Sequence, residues 1–249
     1  MDFYVETLFP GQVDAFLRES ITGRALDKGL INLECINIRD FAVNEYGKVD
    51  DTMYGGGTGM LMQCDPVYDC WRSVVDKRGG NAPYTVYVSP KGSVFDQKKA
   101  VQLASKDSLL IICGHYEGID SRVIDEICDE EISIGDFVLT GGEIAAVTII
   151  DCISRMIPGV LPSESAYMNE SHMAGTLEEK QYTKPSVWHG REVPEVLLSG
   201  NQALIDEYKR IDSLVETWQK RPDMLDKIRI PEEDWEKMIE LKTKRNSDE

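Results

Sequence analysis

Two stretches decide the fold: SLLIICGHYEGID at positions 108–120 and SIGDFVLTGGE at positions 133–143. Ser108 to Cys113 is a continuous apolar run that stops at Gly114. Such a run is the mark of a parallel strand buried on both faces, because helices cover a parallel sheet on each side. Downstream, the sequence predicts a short helix over 120–128, brief strands at 132–134 and 137–139, and a strongly amphipathic helix over 143–157 ended by Pro158-Gly159. Upstream, Tyr84 to Val88 reads as a strand stopped by Ser89-Pro90, followed by a helix over 94–105. Further out, strands are expected at 4–9 and 33–38, helices at 12–19 and 65–77, and a polar, glycine-rich loop over 44–60.

This alternation of strand and helix implies an α/β layer with a parallel sheet, in which ligands bind beyond the carboxyl ends of the strands. Those ends are the loops Ser89-Pro90-Lys91-Gly92, Gly114-His115-Tyr116-Glu117-Gly118 and Leu139-Thr140-Gly141-Gly142. Three polar or glycine-bearing loops on one edge constitute a site expectation. Residues 160–185 carry the breakers Pro162, Gly175 and Pro185, and read as a linker or mobile segment. Residues 201–245 read as helical. The expected organisation is a domain over 1–160, a flexible linker over 161–175 and a helical domain over 176–249.

The 249 residues carry a net charge of −17, which by itself argues against nucleic-acid binding. The distribution softens this, since residues 171–249 hold 13 basic against 17 acidic side chains, a net of −4, leaving −13 for the rest. No apolar run approaches the length of a membrane span, and the N-terminus MDFYVETLFP has no signal-peptide pattern, so a cytoplasmic protein with no membrane contact is expected. The six cysteines include no CxxC pair and no zinc spacing; buried free thiols are the expectation. No metal is assigned to His115, His172 or His189.

YGGGTGM at 54–60 is neither a Walker loop, since Gly59 is followed by Met60, nor a dinucleotide fingerprint. It reads either as a flexible loop or as backbone that closely approaches a ligand. Glu117, between glycines at a strand end, is either a plain turn acid or an acceptor for a base edge or amine. Arg155, late on its helix, is favourable there as a cation near a helix C-terminus, and Glu170 falls where a solvated charge is the default.

Together, VDDTMYGGGTGML, VYVSPKG, ICGHYEGIDSRVI, SIGDFVLTGGE, SRMIPGVL, YTKP and VPEVLLSGN occur in this order. The chain thereby resembles the bacterial tRNA (guanine-N1)-methyltransferases of the TrmD type, over roughly residues 4–225. The resemblance implies a SPOUT-class sheet with a deep trefoil knot and a smaller, all-helical C-terminal domain. It also implies a homodimer with the active site at the subunit interface, S-adenosylmethionine as methyl donor, and the guanosine 3′ of the anticodon of the tRNA anticodon arm as substrate. Magnesium is a further cofactor that it implies, though no ligand set can be read.

Carried over by position, the donor pocket is Tyr87, Val88, Ser89 and Pro90; Gly114, Tyr116, Glu117 and Gly118; and Ile134, Gly135, Leu139, Gly141 and Gly142. Glu117, Gly57, Gly59, Ser171, Gly200 and Asn201 fall on the substrate side. The resemblance assigns catalysis to Arg155 and to Glu170, which stands where the family has aspartate. Other departures are His115 for arginine, Phe137 for tyrosine, Gln202 for histidine, Tyr208-Lys209 for a Trp-Arg pair and Lys180-Gln181 for Pro-His. These leave two alternatives: a SPOUT methyltransferase with another RNA target, and an RNA-binding homologue that has lost catalysis.

Overall fold

The computed structural model describes residues 1–163, 165–168 and 170–248. The chain forms two compact units, residues 1–164 and 165–249.

The first unit begins with β1 (Asp2–Thr7), α1 (Pro10–Leu17), α2 (Ser20–Asp27) and β2 (Asn32–Asn37). A short hairpin follows, β3 (Asp50–Thr52) and β4 (Met60–Met62), and then α3 (Cys64–Lys77) and β5 (Tyr84–Val94). It ends with α4 (Gln97–Ala104), β6 (Ser108–Cys113), α5 (Ser121–Ile127), β7 (Glu130–Ser133) and α6 (Glu143–Ser154). Five strands make one sheet in the order β2-β1-β6-β5-β7, every pair parallel.

The run at 108–113 lies at the centre of this sheet and is buried throughout. Its side chains alternate between the two faces. Leu109, Ile111 and Cys113 join Val13 and Leu17 of α1, Leu103 of α4 and Ile149 of α6. Leu110 and Ile112 join Val67 and Val74 of α3 and Val123 and Ile127 of α5. Each of these buried leucines and isoleucines contributes about 1.5–3 kcal/mol by leaving water. The α/β reading with a parallel sheet is therefore correct, and the layers are helix, sheet, helix.

Several local expectations need correction. Phe137, Val138 and Leu139 are not a strand; the chain there is irregular, and all three side chains are exposed. Apolar character at those positions belongs to a surface, not to the core. The expected loop over 44–60 contains β3 and the start of β4, and α2 was not foreseen. Strand β5 continues past Ser89-Pro90 to Val94, with a register shift against β7 between Val88 and Ser93. Pro90 falls in that irregular stretch, where a missing N–H does no harm to the ladder.

In the second unit the elements are α7 (Ser165–Met168), β8 (Val187–Trp188), β9 (Arg191–Glu192), α8 (Glu195–Leu198), α9 (Gln202–Lys220), α10 (Pro222–Leu225) and α11 (Glu232–Asp248). It is not all helical, because β8 and β9 pair as an antiparallel hairpin. Ile211, Leu214, Val215, Leu225 and Met238 form its apolar core. Positions 164 and 169 of the expected linker, and position 249, lie outside the described residues.

Candidate active site

Because the five strands are parallel, their carboxyl ends share one edge, and three loops leave the sheet there. The first is the irregular stretch of β5 after Val88. The Ser89 hydroxyl donates to the Glu131 carboxylate and accepts from the Lys91 amide at 3.0 Å. Gly92 lies flat on the Glu131–Ile132 backbone, where a Cβ would come closer than 3.0 Å. Burial pushes the Tyr87 phenol up to about 12, so it stays protonated.

The second loop, after β6, is held by the β3–β4 hairpin. The Glu117 amide donates to the Met60 carbonyl, the Met62 amide to the Gly118 carbonyl, and the Asp120 amide to the Met62 carbonyl, each at 3.0 Å. The glycine-rich segment and GHYEGID are thereby one structure. A Cβ on Gly59 would stand 2.6 Å from Oε1 of Glu117, so the carboxylate rests against bare backbone. Tyr116 takes a positive φ of 59°, and its hydroxyl accepts from Arg39 Nη2 at 3.4 Å.

The third loop runs from Ile134 to Gly142 and meets the other two. The Gly142 amide donates to the Gly114 carbonyl at 3.2 Å. A Cβ on Gly142 would fall 2.7 Å from both Cys113 Cα and Val88 Cγ2. Gly114 in turn lies against the Tyr87 ring, where a Cβ would be 2.9 Å from the phenol oxygen. Gly142 is thus packed against Val88 and Cys113, and Gly114 against Tyr87, without side-chain clearance. The amides of 138–141 make no hydrogen bond within the chain among the described residues. Unpaired main-chain donors beside the exposed Phe137, Val138 and Leu139 suit a ligand with an apolar face and a polar edge.

Of the expected donor residues, Tyr87 and Val88 end the regular part of β5, and Ser89, Pro90, Gly114, Tyr116, Glu117, Gly118, Leu139, Gly141 and Gly142 lie on these joined loops. Gly135 is folded back on Phe137, and Ile134 packs on the core. Gly57 has φ of +138° beside the Met53 side chain. Arg155 directly follows α6 as its C-cap, half-buried, its amide donating to the Asp151 carbonyl at 3.3 Å.

Glu170, Ser171, Gly200 and Asn201 belong to the second unit. The Glu170 carbonyl accepts from the Met173 amide (3.2 Å) and the Ala174 amide (3.3 Å), which makes a tight turn. Ser171 closes that turn onto Glu178: its Oγ accepts the Glu178 amide at 3.0 Å and donates to the carboxylate at 3.3 Å. Asn201 caps α9, its side chain accepting from the Leu204 amide, and Gly200 precedes it with a φ of +71°. Behind the turn, buried Asp212 accepts the Lys180 amide at 2.7 Å and pairs with Arg245, and buried Glu216 pairs with Arg245 and Lys220 at 3.0 and 2.6 Å.

Sequence reasoning missed a cluster at the sheet edge. Glu143, the first residue of α6, is buried and meets His115 Nε2 at 2.8 and 2.9 Å and the Thr7 hydroxyl at 2.5 Å. An acid opening a helix next to a Gly-Gly pair was the available signal.

These features define a class: an α/β protein with a parallel sheet and a glycine-lined edge where three loops are tied together. A family model described as tRNA (Guanine-1)-methyltransferase TrmD matches residues 1–227. The chain belongs to this family. It is 47% identical over 246 residues to the tRNA (guanine-N(1)-)-methyltransferase of Alkaliphilus metalliredigens, covering 98% of this chain and 100% of that one. It is 48% identical over 228 residues to the protein of the same name in Ruminiclostridium cellulolyticum (92% and 97%), and 47% identical over 246 residues to that of Dehalococcoides mccartyi (99% and 99%).

Proposed function

We infer that this chain transfers the methyl group of S-adenosylmethionine to ring nitrogen 1 of the guanosine 3′ of a tRNA anticodon. The observation that carries the reading is the three-loop edge itself, which sits in a chain matched along residues 1–227 by the family. The donor's adenosine fits the exposed apolar loop and the unpaired amides of 138–141, and the close-packed glycines fix the backbone around it. S-adenosylmethionine supplies an electrophilic methyl on sulfonium; the chain's own residues supply the rest.

Ring nitrogen 1 of guanine bears a proton and is a poor nucleophile. Glu170 removes that proton as the bond forms. Negative charge moves to the 6-oxo group, where the Arg155 guanidinium stabilises it. Glu117 accepts hydrogen bonds from the amino edge of the base, and Gly57 and Gly59 give the base close access to it. The target base leaves its stack to reach the donor. Ser171 holds the turn that carries Glu170, and Gly200 and Asn201 set the start of α9, which faces the anticodon arm.

The protein acts as a homodimer in which one chain's loops work with the partner's Arg155 and Glu170. Apolar surface supports pairing: Phe16 on α1 and Ile144 on α6, helices that pack together, are each about 60% exposed. A deep trefoil knot at the third loop and a tRNA-binding unit beyond residue 175 complete this reading. We place the enzyme in the cytoplasm, with its tRNA; no helix among the described residues is long and apolar enough to cross a membrane. Magnesium belongs to this reading as what the resemblance implies; among the described residues no three His, Cys, Asp or Glu side chains cluster for a metal, and an ion held by one carboxylate, waters and the RNA would need no such cluster.

The test is methyl transfer to anticodon stem-loops that carry guanosine or adenosine at the target position. Incorporation only with guanosine, mapped to nitrogen 1, is expected. Equal incorporation into both overturns the assignment.

A further inference from the structure

One buried cluster has no part in the chemistry just described: Thr7 at the end of β1, His115 after β6 and Glu143 at the start of α6. His115 Nε2 stands 2.8 Å from Oε1 and 2.9 Å from Oε2 of Glu143. The imidazole tautomer that suits this geometry carries its N–H at Nε2 and donates to the carboxylate oxygens. The Phe9 amide donates to the Thr7 hydroxyl at 2.9 Å, which directs the hydroxyl proton to Glu143 Oε1 at 2.5 Å. The Phe9 ring meets the imidazole edge-on, with centroids 4.9 Å apart. The Glu143 side chain is only 5% exposed, so these donors stand in for the water it has lost.

The cluster is joined to the third loop. Gly141 lies directly on the His115 ring and the Glu143 carboxylate, so that a Cβ there would overlap both. The next residue, Gly142, donates to the Gly114 carbonyl, one residue before His115. The His115–Glu143 pair therefore clamps the turn between the third loop and α6 onto the second loop.

We propose that His115 is a positioning residue for the methyl donor: through Glu143 it fixes the Gly141-Gly142 turn against Gly114, and with it the backbone groups of 138–141. The inference rests on reading these loops as the donor site. It assigns His115 no contact with the base and no proton transfer in the reaction.

The test compares H115A, H115N and H115Q in the full-length enzyme. A glutamine amide nitrogen reaches the place of Nε2, whereas an asparagine amide does not. H115A and H115N are expected to raise the KM for S-adenosylmethionine and the Kd for S-adenosylhomocysteine about tenfold, with kcat and the KM for tRNA within about threefold of wild type. H115Q restores most of the donor affinity. E143Q loses a similar factor, and E143Q combined with H115A loses little more, as for two residues acting as one unit. The inference is overturned if H115A binds donor like wild type, if kcat falls at unchanged donor affinity, or if H115N and H115Q are equally impaired. Should H115A fail to fold in a melting experiment, the contrast between Gln and Asn decides. Wild-type enzyme with no affinity for S-adenosylhomocysteine overturns instead the donor-site reading, so the two failures are told apart.

Discussion

At the carboxyl edge of the sheet, Gly142 leaves no space for a Cβ between Cys113 and Val88. In the second unit, the turn at Glu170 is held differently: the Ser171 hydroxyl and the Glu178 carboxylate close it, with buried Asp212 and Glu216 paired to Lys and Arg behind it. The first arrangement uses main-chain shape, which any added side-chain atom disrupts. The second uses side-chain length and charge, which admits chemical substitution. Glu170, one methylene longer than the aspartate that the resemblance implies there, belongs to the region built the second way. On the proposed reading, donor binding is the rigid half of this enzyme and proton removal the adjustable half.

The sharpest way to break this contrast is G142A. A methyl group 2.7 Å from Cys113 Cα and Val88 Cγ2 forces the loops apart. Loss of measurable donor binding, with a stability loss of about 1–3 kcal/mol or more, is expected in calorimetry and thermal melts. Wild-type affinity in G142A would show that the edge is soft. Next in size is E170A, which should lower single-turnover methylation about 10²–10⁴-fold while S-adenosylhomocysteine binds as before. E170D should stay within about tenfold of wild type, the tolerance that sets this region apart from the loops. R155A should cost about 10²-fold in kcat with little change in donor affinity.

The smallest expected effect concerns Glu6 on β1, fully buried, with neither carboxylate oxygen hydrogen-bonded among the described residues. Burial raises its pKa well above the usual carboxylate range. The folded chain therefore holds a proton that the unfolded chain releases above about pH 4.3. Its contribution to stability is full below that pH and declines as pH rises toward the folded value. E6Q should raise the Tm by a few degrees at pH 8 and by less at pH 5. An equal shift at both pH values would mean that Glu6 is ionised in the fold.

Much of the first unit was legible because its signals are local. SLLIIC is buried on both faces, and the residues after each strand are glycines and polar groups, so the sheet and the loops at its carboxyl ends could be read from neighbours in sequence. Phe137-Val138-Leu139 misled for the opposite reason: apolar residues mark burial only when the protein itself covers them, and here they are exposed on the third loop. The tie between Met60-Met62 and residues 117–120 joins segments more than fifty positions apart, and no periodicity announces it. The same holds for His115 and Glu143, whose contact spans 28 positions. Glu170 and Arg155 stood out only through the family pattern, because a lone acid in a turn and a cation at a helix end are ordinary in themselves.

On the proposed reading, the loops of one chain work with Arg155 and Glu170 of its partner. Mixing two inactive variants tests it most directly: Leu139→Asp, which places a charge on the exposed donor loop, and E170A, reassorted into mixed dimers at equal amounts. Each mixed dimer then contains one site with intact loops and an intact glutamate from opposite chains. Methyl transfer should return to about a quarter of the wild-type rate. Activity no higher than that of the two parent variants, with mixed dimers confirmed by native mass spectrometry, would contradict the account.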